Sequence, residues 1–201
     1  MVSEKKLSFF VAGIIVLALV LDQWLKFYVK LNFTLGESYE ILPFFQICFV
    51  ENDGMAFGIE WFSKLFLTLF RIVAVGLMSW YLYVLIHKQK TRIGYVVMVA
   101  LVTAGALGNI IDCLFYGVIF SESTYTSVAA LFPSCGYAPL FYGKVVDMLY
   151  FPLIHNSAGE VIFFRPVFNL ADSCITVAVI VIFLFYTKDL NKSLSKKTDE
   201  K

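Results

Sequence analysis

Two aspartates of this sequence, Asp147 and Asp172, carry the side chain that can hydrolyse an amide without a metal ion, a Ser–His pair or an activated cysteine. Two carboxylates held close together cannot both ionise easily, so such a pair shares one proton and titrates as a unit. The ionised member takes a proton from the attacking water, while the protonated member polarises the carbonyl and later helps the amine to leave. Residue type alone ranks Asp22 and Asp112 almost as high, which leaves the choice among the aspartates open at this point.

The elements that must position these residues are four long apolar runs. The chain has 201 residues, of which 60% are hydrophobic and 15% are charged, and this composition excludes an ordinary soluble domain. Each run is close to the roughly 20 residues that a helix needs to cross about 30 Å of hydrocarbon. We therefore predict an all-α integral membrane fold in which residues 1–201 form one domain. Its four transmembrane helices are predicted at about residues 7–28, 65–86, 93–120 and 167–186.

The distribution of Lys and Arg predicts how these helices are oriented. Basic residues precede the first run, separate the second run from the third, and recur in the C-terminal tail, whereas residues 31–62 contain no Lys or Arg. By the positive-inside rule, both termini lie in the cytoplasm, and the two long connections, about residues 31–62 and 121–166, face outward. Residues 40–49 are rich in Phe and Ile and are followed by turn-forming residues, so we expect short strands there at the membrane surface.

Most polar residues of the apolar frame fall near its outer boundary. Counted at about 1.5 Å per residue, they reach similar depths on the first, third and fourth helices. Ionisable groups at membrane depth often mark functional sites, but they also join helices through hydrogen bonds worth about 0.6 kcal/mol each. For Asp22, Lys26 and Asn109 the purely structural role is a serious alternative. The i,i+3 and i,i+4 pairs, each sharing one helix face, are Asp22 with Lys26, Asn109 with Asp112, and Asn169 with Asp172.

A small transporter or proton channel is an alternative interpretation, in which Asp22, Asp112 and Asp172 would relay protons across the bilayer. A relay also needs polar groups in the cytoplasmic half of the helices, and that half is almost uninterrupted Leu, Ile, Val and Phe. A non-catalytic membrane scaffold is a third interpretation, which leaves the ordered aspartates unexplained.

The cysteines and histidines do not indicate a bound metal or a redox centre. The four cysteines have no CxxC spacing, and His87 and His155 stand alone. Cys48 and Cys135 lie in the outward connections, where they either pair in an oxidising compartment or pack as apolar residues. We therefore expect a protein that works without a metal ion or an organic cofactor.

Five short blocks occur in a fixed order along the chain, inside the frame of four apolar runs. They read DQWLK at Asp22–Lys26, NDGMAF at Asn52–Phe57, GALGNIID at Gly105–Asp112, VVD at Val145–Asp147 and FNLADS at Phe168–Ser173. In this order they resemble bacterial lipoprotein signal peptidase, the signal peptidase II family. The resemblance covers about residues 7–187, nearly the whole chain.

The resemblance implies an aspartic endopeptidase of the bacterial inner membrane. Such an enzyme removes the signal peptide of a diacylglyceryl-modified prolipoprotein by cutting before the lipidated cysteine, with Asp147 and Asp172 as its catalytic dyad. The outward loops would be periplasmic, with a small β element and a gating loop or helix. The expected partners are prolipoproteins and membrane lipids, with no nucleic acid, and we expect a monomer. Supporting and substrate-binding positions would be Asp22, Lys26, Asn52, Gly54, Gly105, Asn109, Asp112 and Asn169.

The chain departs from the family pattern at two places. Cys113 stands where the family commonly has Arg, so we expect Arg71, Lys26 or Arg165 to supply the positive charge. Residues 121–143 form a stretch that is longer than expected. It is either a lid or partner contact of this lineage or a tolerated surface loop, and the second interpretation is favoured.

Overall fold

The helices of the computed structural model follow the apolar runs closely. The structure describes residues 3–53, 64–87, 91–155, 161–163 and 166–195. Its helices are α1 (Glu4–Asn32), α2 (Lys64–His87), α3 (Ile93–Ile111), α4 (Gly117–Ile119), α5 (Leu170–Phe185) and α6 (Thr187–Ser195).

Among the described residues, three helices, or four if a bent pair is counted as one, are long and apolar enough to span a membrane. The segments Glu4–Asn32, Lys64–His87 and Ile93–Ile119 are long and apolar enough to cross a membrane. Helix α5 is only 16 residues long, and the chain bends by 90° between it and α6, so these two count as a fourth span only if they are taken together. A mostly helical membrane fold is therefore confirmed.

The two long connections pair with each other in one small sheet. Strands β1 (Ser38–Leu42) and β2 (Phe45–Asn52) come from the first connection, and β3 (Val145–Tyr150) comes from the second. With β6 (Val167–Phe168) they form an antiparallel sheet in the order β1-β2-β3-β6. Strands β4 (Ile154–His155) and β5 (Val161–Phe163) form a separate pair. The expected strands in the first connection are confirmed, whereas their partner β3 was not predicted as a strand. The described residues between 121 and 166 contain no helix.

The fourth helix begins later than its apolar run. The run was predicted from residue 167, but Val167 and Phe168 pair with Tyr150 and Leu149 of β3. Asn169 then caps α5, its side-chain oxygen accepting the N–H of Asp172 at 2.9 Å. An N-cap asparagine has extended backbone and satisfies one of the free N–H groups of the first turn, so the helix starts at Leu170.

The third helix is not regular over the predicted range 93–120. At Asp112–Tyr116 the backbone forms a π-helical turn before α4 follows. The carbonyls of Cys113 and Leu114 accept hydrogen bonds from the N–H groups of Gly143 and Phe141, at 2.9 and 3.3 Å. The carbonyl groups of this wider turn are therefore satisfied by backbone donors from the 121–143 segment, which contacts the end of the helix.

Helix α3 packs between the other helices, with glycines at its closest contacts. A Cβ atom at Gly105 would lie 2.3 Å from the carbonyl oxygen of Ala171, a distance that real side chains do not show. At Gly108 it would lie 2.7 Å from Asp22 Oδ2. Small residues let membrane helices approach closely, so these glycines bring α3 against α5 and α1 at the depth of the polar residues.

Candidate active site

Asp147 lies on β3, where the strand passes the end of the helix bundle. Its side chain is almost fully buried, and it accepts two hydrogen bonds from side-chain amides. Asn52 Nδ2 donates to Asp147 Oδ2 at 3.1 Å, and Asn169 Nδ2 donates to Asp147 Oδ1 at 2.7 Å. Asn52 reaches it because β2 and β3 are paired with Val50 opposite Asp147, which places residue 52 diagonally on the same sheet face.

Asp172 lies in the first turn of α5 and is only partly buried. Asn109 of α3 donates from Nδ2 to Asp172 Oδ1 at 2.8 Å. Asn109 Oδ1 in turn accepts from Asn169 Nδ2 at 3.0 Å. The two asparagines thus connect both aspartates in one hydrogen-bond network. The partial positive charge at the N-terminus of α5 also lies close to the Asp172 side chain.

The surroundings of Asp147 favour its protonated form. Burial raises the pKa of Asp147 to about 7, and the nearby negative charge of Asp172 acts in the same direction. The amides of Asn52 and Asn169, and the positive charge of Lys26, oppose this rise because they stabilise the ionised carboxylate. The pair can therefore hold one proton near neutral pH, as a two-carboxylate hydrolase requires.

A buried ion cluster lies directly behind the aspartates. Lys26 is fully buried, and its Nζ atom lies 2.9 Å from Asp22 Oδ2, 2.8 Å from Asp112 Oδ2 and 2.9 Å from Asn109 Oδ1. We call Lys26, Asp22 and Asp112 the Lys26 cluster. Because Lys26 holds the oxygen of Asn109, it fixes which side of that amide faces Asp172.

The carboxylates of the Lys26 cluster also bind backbone groups of the elements that carry the aspartates. Asp22 Oδ1 accepts the N–H of Ala171, next to Asp172, at 2.9 Å. Asp112 Oδ2 accepts the N–H of Val146, next to Asp147, at 3.3 Å. Each aspartate of the dyad is therefore positioned through its neighbour in the chain.

The structure gathers most of the predicted site residues at one place. Asp147, Asp172 and the three asparagines form the network, the Lys26 cluster supports it, and Gly105 allows the helices to approach. The predicted residue Gly54 lies outside the described residues. Asp22, Asp112 and Asp172 lie together at one end of the bundle and are not spread across it, which disfavours the proton-relay interpretation.

Sequence reasoning missed Gln23, which crosslinks the cluster. Its Nε2 atom donates to Asp112 Oδ1 at 2.9 Å and to the carbonyl of Gly108 at 3.2 Å, and its Oε1 atom accepts from the hydroxyl of Tyr116 at 3.0 Å. Gln23 stands inside the DQWLK block, between two predicted residues, so its position was the available signal.

Cys113, which stands where the family commonly has Arg, is contacted by an arginine of α2. Arg71 Nη1 donates to the buried thiol sulfur of Cys113 at 3.1 Å. A guanidinium therefore lies beside the position where the family commonly carries Arg. Of the other two suggested cations, Lys26 is engaged in its own cluster, and Arg165 lies outside the described residues.

Comparison with known proteins identifies the family of this chain. A family model described as signal peptidase (SPase) II matches residues 14–188. The chain belongs to this family. A lipoprotein signal peptidase of Porphyromonas gingivalis is 48% identical over 197 residues, covering 93% of this chain and 87% of the relative. That of Amoebophilus asiaticus is 33% identical over 200 residues, covering 92% and 80%.

A solved structure shows the same fold. Described as a bacterial membrane enzyme determined by the in meso method at 2.3 Å resolution, it is 26% identical and superposes with a TM-score of 0.62. The match covers 95% of this chain and 93% of that one. This signal peptidase II is therefore a membrane-embedded aspartic peptidase, a conclusion that the sequence blocks had predicted and the family match confirms.

Proposed function

We propose that Asp147 and Asp172 are the catalytic dyad of this peptidase, and that it removes the signal peptide of diacylglyceryl-modified prolipoproteins by cutting before the lipidated cysteine. The observation that carries the proposal is the single hydrogen-bond network that joins the two aspartates through Asn109 and Asn169. The substrate class is that of the relatives named lipoprotein signal peptidase.

The reaction uses one proton shared by the dyad. Asp147, buried and with its pKa raised to about 7, holds the proton and donates it toward the oxygen of the scissile carbonyl. Asp172, at the helix N-terminus, takes a proton from the attacking water. The hydroxide oxygen bonds to the carbonyl carbon, giving a tetrahedral intermediate. When that intermediate collapses, Asp172 passes the proton from water to the leaving nitrogen and the C–N bond breaks. Asp147 takes back a proton from a hydroxyl group on the tetrahedral carbon, so the pair again holds one shared proton.

The supporting residues act on this pair in three ways. Asn52 and Asn169 hold the carboxylate of Asp147, and Asn109 holds that of Asp172. The Lys26 cluster fixes the backbone on which both aspartates stand. Gly105 permits the close approach of α3 and α5, and Gly54 is proposed to form part of the substrate surface, as in the family block that it matches.

We place the site at the periplasmic boundary of the bacterial inner membrane, in a chain that forms one domain with four spanning helices and cytoplasmic termini. The distribution of basic residues supports this orientation. The lipid of the substrate then remains in the bilayer while its peptide reaches the dyad. We propose a monomer that contacts membrane lipids and prolipoproteins but no nucleic acid, and that needs no metal ion or organic cofactor.

The test follows a diacylglyceryl-modified prolipoprotein by gel shift after incubation with the purified protein in detergent. Asp147→Asn and Asp172→Asn should each lower the cleavage rate by about 10³-fold or more, since neither can exchange the shared proton. Asp189→Asn, in helix α6 where Asp189 pairs with Arg92, is the matched control and should cleave normally. Equal cleavage by all variants would move the chemistry to other residues, and an inactive parent would favour the transporter or scaffold interpretation.

A further inference from the structure

A second buried lysine lies one helical turn beyond Lys26. Lys30 is fully buried, and its ammonium forms an ion pair with Glu51 and donates to the hydroxyl of Ser123 at 3.0 Å. Three aromatic rings surround the ammonium, with centroids 4.9 to 5.8 Å from Nζ. We call Lys30, Glu51 and Ser123 the Lys30 cluster. The rings are those of Phe49, Phe120 and Tyr137.

The carboxylate of Glu51 reaches a second cation on the strand that carries Asp147. Lys144, directly before β3, lies with Nζ 3.3 Å from Glu51 Oε2. The backbone N–H of Lys144 also donates to the hydroxyl of Tyr137 at 2.7 Å. Glu51 therefore joins α1 to the start of β3, and residues 123 and 137 bring the 121–143 segment into the same contact.

The Lys30 cluster and the dyad lie on opposite faces of the same strand pair. Glu51 is opposite Val146 in the register of β2 and β3, whereas Val50 is opposite Asp147. Because successive side chains of a strand alternate between faces, Glu51 points away from Asp147 and the adjacent Asn52 points toward it. The ion pair on one face thus sits one residue from the amide that holds the aspartate on the other.

We propose that the Lys30–Glu51 ion pair is a positioning device for the dyad, which sets the register of β2 against β3 so that Asn52 reaches Asp147. The inference rests on the proposed catalytic role of Asp147. It also gives the 121–143 segment a function, since Ser123 and Tyr137 complete the cage around Lys30 and Lys144.

A shift of register shows why charge suits this task better than apolar packing. Moving β2 by one residue would turn Glu51 onto the face of Asp147 and leave the ammonium of Lys30 buried without its carboxylate. Both consequences are unfavourable, because like charges repel and an unpaired buried charge is costly. A buried ion pair is best attested in such a register-setting role. An apolar pair at these positions would tolerate the slip.

The inference predicts a change in the pH dependence of catalysis as well as in the rate. The charged groups around Asp147 are Asp172 from α5, Lys26 from α1 and, through the N–H of Val146, Asp112 from the third helix. Glu51→Gln leaves all of these in place and loosens only the amide of Asn52. That amide stabilises the ionised carboxylate, so its loss moves the alkaline limb of the kcat profile to higher pH, by about 0.5 pH unit.

The experiment compares Glu51→Gln, Asn52→Ala and the double variant by steady-state cleavage of a diacylglyceryl-modified prolipoprotein in detergent. We expect Glu51→Gln to lower kcat about tenfold with little change in KM, and to shift the alkaline limb in the same direction as Asn52→Ala. When Asn52→Ala is already present, adding Glu51→Gln should lower kcat by less than twofold, because the effect of Glu51 passes through the amide of Asn52. Glu40→Gln, an exposed glutamate on the neighbouring strand β1, is the matched control and should behave as the parent.

Separate outcomes test the positioning role and the proposed function. A loss in Glu51→Gln without movement of the pH limb, or one that is fully additive with Asn52→Ala, overturns the positioning role. If Glu51→Gln does not fold, Lys144→Met removes the more exposed contact of Glu51 and should shift the limb in the same direction by a smaller amount. If Asp147→Asn cleaves the prolipoprotein as fast as the parent protein, the proposed function is overturned, and this inference falls with it.

Discussion

Lys26 and Lys30 are the same residue type, one helical turn apart on α1 and both fully buried, yet their charges are compensated differently. Lys26 lies between two carboxylates and an amide oxygen, all within 2.9 Å, in a polar cluster that touches the dyad. Lys30 has one carboxylate and one hydroxyl, and aromatic rings occupy the rest of its surroundings. In the proposed mechanism, Lys26 therefore supports the dyad through Asn109 and two carboxylates, whereas Lys30 supports the strand pair that carries Asp147.

The comparison predicts the largest loss at Lys26. In Lys26→Met the carboxylates of Asp22 and Asp112 face each other without a cation, which should destabilise the protein by about 3 to 5 kcal/mol and abolish cleavage. Chemical denaturation in detergent measures the first effect, and prolipoprotein cleavage measures the second. Lys26→Met combined with Asp112→Asn should regain part of the stability but not the activity, because Asn109 Oδ1 loses the ammonium of Lys26 and keeps only the amide of Asn169. A recovery of both would show that Lys26 acts only as a counter-ion.

The next largest effect is a dependence of stability on pH, which is caused by the carboxyl group of Asp147. The pKa of Asp147 is raised to about 7 in the folded protein, so folding binds its proton. The stabilisation is fully present below the ordinary pKa of about 4 and is lost as the pH rises through 7. Between pH 4 and 8 the free energy of unfolding of the parent should therefore fall by on the order of 3 kcal/mol more than that of Asp147→Asn. Parallel stability curves for the two proteins would contradict the assignment.

Lys30→Met should be milder than Lys26→Met, with a destabilisation of about 2 kcal/mol. Glu51 keeps its contact with Lys144, which is partly exposed, so the remaining carboxylate is not left alone in an apolar interior. The methionine side chain also fits an aromatic cage better than it fits a cluster of carboxylates. Denaturation of both variants under the same conditions measures the difference. Equal losses at the two lysines would mean that Lys144 does not compensate the charge of Glu51.

The smallest expected effect is at Tyr116, which joins the two clusters. Its hydroxyl donates to Gln23 beside the Lys26 cluster, and its ring packs edge-to-face on Phe27 and Phe120 beside the Lys30 cluster. Tyr116→Phe keeps the packing and removes one hydrogen bond, which should cost about 1 kcal/mol. Cleavage activity should fall only slightly. A loss as large as that of Lys26→Met would show that Gln23 depends on this hydroxyl for its orientation.

Much of the fold and the site could be predicted from one sequence. The apolar runs follow from the thickness of the bilayer, so the helix positions were predicted to within a few residues. The helical rise along the apolar runs predicted similar depths for Asp22, Lys26, Asn109 and Asp172, and the structure joins these residues in one network. These predictions succeeded because a helix converts sequence spacing directly into depth and facing.

Contacts between distant segments were not predicted. Lys30 resembles an interfacial lysine at a helix end, whose charge would normally remain in water. It is buried only because β2 and the 121–143 segment close over it. The π-helical turn at Asp112–Tyr116 likewise depends on donors from residues 141 and 143, which no local pattern indicates.

The sequence by itself determined the membrane class, the family and the approximate positions of the helices, because hydropathy and short sequence blocks are local properties. Only the tertiary structure decided how those residues act together. It pairs the two long connections in one sheet, buries Lys30 behind Asp147, and sets Asn109 and Asn169 between the aspartates. Strand register and burial depend on contacts between residues far apart in the chain, and their free energy appears only when those residues meet.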